Sequence, residues 1–142
     1  MYPMVLMTHS LVRWLVLGAV AVRAAVGLHG AATGRAPGGP DRRASLAAMI
    51  LTDLQLTLGL LLWAVLSPVV GQARGDVGAA MKDGGLRWAL VEHPTLMVVG
   101  VGLVHVAHVL TKRAATPAQH RGPAIAATLA LLALLAGSMR PS

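Results

Sequence analysis

Four long apolar runs separated by short polar or Gly/Pro-rich connections order this chain. The first covers residues 5–29, approximately. The second covers about 45–66 and closes at Ser67-Pro68. The third begins somewhere between 86 and 94, taken as 88–112, and ends at Lys112-Arg113. The fourth covers about 123–139. Each is close to the ~17–25 residues that an α-helix needs to cross a bilayer. Gly122-Pro123 reads as a helix start, and the GRAPGGPDRR stretch from Gly34 to Arg43 reads as a solvated turn. The first run has no positive region before it and is longer than a signal-peptide core, so it reads as a retained span. The pattern predicts an all-α integral membrane protein. It is a four-transmembrane-helix bundle, one membrane domain over 1–142, with both termini on the same side.

Composition agrees. Hydrophobic residues make up 56% and charged ones 12%, about half the usual charged share of a soluble domain, and mean hydropathy is +0.68. A disordered chain is excluded. Cysteine is absent, which excludes disulfides, thiolate catalysis, iron–sulfur clusters and zinc–thiolate sites. No P-loop, dinucleotide fingerprint, serine triad or zinc-hydrolase motif is present. The net charge of +7 is not accompanied by a basic helix or a stacking platform, so no nucleic-acid partner is expected.

Lys and Arg sort to the ends of the spans. One side holds Arg35, Arg42, Arg43, Lys112, Arg113 and Arg121, with Arg23 close by; the other holds Arg74, Lys82, Arg87 and Arg140, with Arg13 just inside. The bias favours both termini on the periplasmic side of a bacterial inner (cytoplasmic) membrane, which the chain crosses as a multi-pass protein.

Ionisable groups at membrane depth are costly unless paired or ligated, so each is a functional candidate. His9 and Arg13 share one face of the first span, which also carries Arg23. The second span carries Asp53 and Gln55; the third carries Glu92, His93, His105 and His108. Spans one and three run in the same direction, and His9 and His93 fall at similar heights near the outer side. Two histidines from different helices at one level are what a bis-histidine haem requires. Arg13, about 6 Å deeper, could meet a porphyrin propionate or pair with Glu92. Met97, one turn below His93, could pack on the ring or act as an axial ligand.

A deeper polar level contains His105, His108, Asp53 and, at the inner end of span one, His29. It could hold a second haem or a metal, conduct protons, or amount to hydrogen bonds between helices. His29 and His120 read as interfacial, and Arg23, close to a span end, as a snorkelling side chain. Gly100 and Gly102 permit close helix contact or make room for a macrocycle. The fourth span, with nothing polar beyond Thr128, is expected to be a lipid-facing wall. Pro94 leaves a carbonyl of the preceding turn without its donor and so shapes the corner at which His93 points.

His9-Ser-Leu-Val-Arg13-Trp14, Asp53-Leu-Gln55-Leu-Thr-Leu-Gly59, Met81-Lys82-Asp83, Leu86-Arg87-Trp88 and Val91-Glu92-His93-Pro94 with Met97 resemble a family of small bacterial four-helix membrane proteins catalogued as cytochrome b-like. The resemblance runs from His9 to about Lys112. It implies haem b held by membrane histidines, with His9 and His93 as the ligands that match. Asp53 stands where relatives often have His. The resemblance also points to Arg13, Gln55, Arg87 and Glu92 without assigning them roles.

The expected function is that of a membrane-bound b-type cytochrome passing electrons through one haem, or two, exchanging them with quinol or a redox partner protein. On this reading the chain is an electron-transfer protein rather than a stand-alone enzyme. The alternatives are a small porphyrin-oxidising membrane enzyme and an accessory subunit of a larger membrane complex. The lipid bilayer is a partner in every case, and a homo-oligomer is compatible with each.

Overall fold

The computed structural model describes residues 1–139; Arg140, counted above on the outer side, lies outside them. Among the described residues every regular element is a helix and no strand occurs. Helix α1 (Tyr2–Thr33) ends at Gly34, whose φ of 67° is the left-handed conformation that glycine adopts without steric cost. Helix α2 (Gly39–Leu61) continues through a wide π turn, Leu62–Leu66. Three short helices follow: α3 (Pro68–Gly75), α4 (Val77–Ala80) and α5 (Gly84–Arg87). Their first turns are capped by the side chains of Ser67, Asp76 and Asp83 respectively. A second π turn, Trp88–Glu92, leads into α6 (His93–Arg113); a 3₁₀ turn, Pro117–His120, leads into α7 (Arg121–Ser138).

Four continuous helical stretches are long and apolar enough to cross a membrane: Tyr2–Thr33, Gly39–Leu66, Gly84–Arg113 and Pro117–Ser138. All extend beyond the apolar runs of the sequence, because capping and proline-initiated turns carry helix into polar residues. Asp41 is an example. It lies inside the expected solvated turn, yet it accepts from the Gly38 backbone N–H at 2.9 Å and caps α2.

Helices α1 and α6 each pack against both α2 and α7, which puts α1 and α6 on one diagonal. The core joins Val16, Leu17 and Val20 of α1, Ala48 of α2, Val104 of α6, and Ala130 and Leu134 of α7. The expectation of α7 as a lipid-facing wall is overturned. Its apolar window is 39% buried, the largest share of the four, whereas that of Gly39–Leu66 is 17% buried. The reason is side-chain size. Ala124, Ala127, Ala130, Leu134 and Gly137 recur at helical spacing, and small residues let α7 approach both neighbours closely. A Cβ on Gly100 would stand 2.6 Å from Leu134, so this glycine serves close contact between α6 and α7; at Gly102 the space is open.

Candidate functional site

Two prolines shape the end of the bundle that carries His9 and His93. Pro68 and Pro94 each lack an N–H and so free the carbonyl four residues back, on Ala64 and Leu90. Both carbonyls find other donors. The Trp63 indole donates to the Leu90 carbonyl at 3.0 Å, and Arg74 donates to the carbonyls of Ala64 and Trp63 at 2.9 and 2.8 Å. The Arg74 guanidinium also lies 4.3 Å from the centre of the Trp63 ring, a cation–π contact. The two π turns are thereby joined, and His93 starts α6 from a fixed corner. The carbonyl freed by Pro94 was legible in the sequence; that freed by Pro68, and the side chains that answer both, were not.

His9 of α1 and His93 of α6 meet across the bundle, with ring centres 6.3 Å apart and planes at 78°. His93 Nδ1–H donates to the Gly137 carbonyl at 2.7 Å. Only a protonated nitrogen can serve a carbonyl, so in the neutral ring Nε2 keeps its lone pair, the arrangement usual for a metal-ligating histidine. Gln55 donates to the His9 backbone carbonyl at 2.9 Å. Its amide nitrogen is 3.5 Å from His9 Nε2, too long to hold that ring strongly.

Two cavities flank the pair, about 220 and 200 Å³ in volume, and both are lined by His9, His93, Gln55, Trp88 and Met97. The first continues along Gly59 and Trp63, the second along Ser10, Arg13 and Gly137. A Cβ on Gly59 would lie 3.2 Å from His9 Cε1. His9 Nδ1, Arg13 Nε and Gln55 Oε1 are buried without a hydrogen-bond partner. Buried polar atoms are rarely left so; these three belong to residues facing the cavities, and the others, on Arg23 and His120, lie at the opposite end of the bundle.

Arg13 makes no pair with Glu92. Glu92 binds Arg87 at 2.6 Å instead, while Arg13 lies over the Trp14 ring at 5.0 Å. Met97 lines both cavities and packs against the core.

The deeper level is divided into separate contacts. His105 meets Asp53 at 2.7 Å, His108 Nδ1 meets the Ser45 hydroxyl at 3.0 Å, and His29 is exposed. Among the described residues no group of three or more His, Cys, Asp or Glu is placed to hold a metal ion. His105, His108, His29 and Asp53 are therefore not brought together as one group; only His105 and Asp53 meet. Helical spacing placed them at one level but could not tell which faces meet.

The inner end departs most from expectation. Arg23 does not snorkel; it is 2% exposed and donates to the Thr111 hydroxyl at 2.7 Å. His120 does not face solvent; it is 1% exposed, with Nδ1 3.8 Å from Asp41. Asp41 is fully buried and binds Arg35 through both oxygens, at 2.7 and 3.2 Å. That hydrogen bond raises the pKa of the loop residue Arg35 above its ordinary value. Small residues of α1 make this burial possible: a Cβ at Gly27 or Gly30 would run into Arg23 or His120. A His three residues before a Gly-Pro helix start reads as a loop residue, and only the tertiary fold covers it.

No known family model, curated protein or solved structure matches this chain.

Proposed function

We propose that the chain is a b-type cytochrome of the bacterial inner membrane, with haem held by His9 and His93 and both termini on the periplasmic side. One observation carries this reading: two imidazoles from diagonal helices face each other between two cavities, with centres 6.3 Å apart. His9 and His93 would be the two side chains that hold haem iron, since imidazole nitrogens are common haem ligands. Haem b, when bound, supplies a one-electron carrier whose potential follows its ligands, burial and nearby charge.

The chain's own residues supply the rest. The Gly137 carbonyl holds the His93 ring in the tautomer that presents Nε2. Gln55 ties the backbone of α1 at His9 to α2. Arg13, which has no carboxylate partner among the described residues, offers a positive charge to an anionic edge group of the macrocycle and favours the reduced, less positive site. Haem would bring its own nitrogen donors, so two protein ligands would suffice. Quinol or a redox partner protein would exchange electrons with it.

The test is a reduced-minus-oxidised spectrum and a pyridine haemochrome assay on detergent-purified protein. An α-band is expected, lost in both His9→Ala and His93→Ala and kept in His105→Ala. Purified wild-type protein with no haem sinks the proposal and favours an accessory subunit.

A further inference from the structure

The Asp53–His105 pair lies where an isolated bundle would not leave it. Asp53 is at the midpoint of the helical stretch Gly39–Leu66, and His105 meets it from α6 at 2.7 Å. Both side chains face outward, with 48% and 45% of their surface exposed. In water such exposure would be ordinary. At mid-span it puts an acid–base pair against hydrocarbon, whereas ionisable residues in spans nearly always face the bundle interior or a water-filled cavity.

We infer that a second copy of this chain covers the α2–α6 face, with the Asp53–His105 pair at the centre of a two-fold contact. The inference rests on the membrane reading above and not on haem.

The pair itself argues for a second copy. Hydrocarbon demands a pair of zero net charge. One proton is then shared between Asp53 Oδ1 and His105 Nε2. Whichever atom holds it, His105 Nδ1–H remains a donor and Asp53 Oδ2 an acceptor, and neither makes a hydrogen bond among the described residues. Each copy thus offers one donor and one acceptor of the same geometry. A two-fold axis pairs the donor of one copy with the acceptor of the other and leaves neither orphaned. A foreign partner would have to supply both groups by coincidence.

The surroundings permit the approach. Ile50 and Thr57 on α2, and Val98, Gly102 and Val109 on α6, share the face at helical spacing and are exposed. Gly102, one turn from His105, has no atom within 4 Å of where a Cβ would be. That notch lets a second backbone come close.

The chain lacks cysteine, so single-cysteine scanning in native membranes is clean. Gly102→Cys under mild oxidation is expected to give a disulfide-linked species of twice the chain's mass. Gly18→Cys, at an equally open glycine on α1, is expected to stay monomeric. Replacing the pair with leucines (Asp53→Leu, His105→Leu) in the Gly102→Cys background is expected to weaken association about tenfold in lipid vesicles, on the order of what a few interhelical hydrogen bonds supply. Equal cross-linking at both glycines, none at either, or a disulfide to a protein of another mass overturns the inference. So does undiminished association of the leucine variant. Alkaline carbonate extraction of the wild-type chain separates the two levels: release from the membrane sinks the membrane reading and this inference together, whereas retention without the Gly102 cross-link sinks this inference alone.

Discussion

At the scale of single residues, glycine explains much of the site's geometry. Gly137 places its carbonyl on His93 and has no room for a side chain: an added Cβ would overlap Met97 and lie 3.1 Å from Leu96. Gly18 faces open space. Gly137→Leu is therefore expected to lower stability by about 1–3 kcal/mol through overpacking, and Gly18→Leu to be neutral or slightly stabilising. Thermal unfolding followed by tryptophan fluorescence in detergent checks both. Equal effects of the two substitutions would remove the packing account of α7. The same residue scale explains why Arg13 does not pair with Glu92: Glu92 has Arg87 within 2.6 Å.

Between elements, side chains complete what backbone leaves open. Pro68 and Pro94 free two carbonyls, and Trp63 and Arg74 satisfy them, which ties the end of α2 to the start of α6. At the inner end Asp41 does similar work. It caps α2, holds Arg35 in the α1–α2 turn and stands near His120 at the start of α7. Asp41→Asn keeps the shape but removes the charge that both Arg35 oxygen contacts depend on. A lower midpoint of thermal unfolding by several degrees is expected, because charge-assisted hydrogen bonds are the stronger kind. An unchanged midpoint would show that the inner turn is held by packing alone.

For the whole molecule, the long helices place the His9–His93 pair toward one end of the bundle and most basic residues at the other. Arg35, Arg42, Arg43, Lys112, Arg113 and Arg121 gather near the α1–α2 and α6–α7 turns, which on the proposed topology face the cytoplasm. In intact cells an impermeant maleimide is expected to label Gln72→Cys and to spare Ala36→Cys, both exposed positions in a cysteine-free chain. The reverse pattern would invert the topology. The α2 stretch, least buried of the four, then presents its exposed face to whatever covers Asp53 and His105.

The sequence by itself determined the helical class, the four stretches and the level-matching of His9 with His93. Apolar run length and rise per residue are properties of one helix and need no neighbour. It also marked Pro94 as the shaper of the His93 corner. Which faces meet was decided only by the tertiary structure. Helical spacing places His105, His108, Asp53 and His29 at one depth, but rotation about each axis follows from packing, and that packing paired them separately. Burial was decided there too. Arg23 and His120 are polar residues near helix ends that read as surface groups; they are buried because Gly27 and Gly30 leave gaps in α1 that they fill. The role of α7 follows the same logic. Hydropathy records how apolar a helix is, whereas its place in the bundle depends on side-chain volume, and the alanine and glycine face of α7 let it sit between two neighbours.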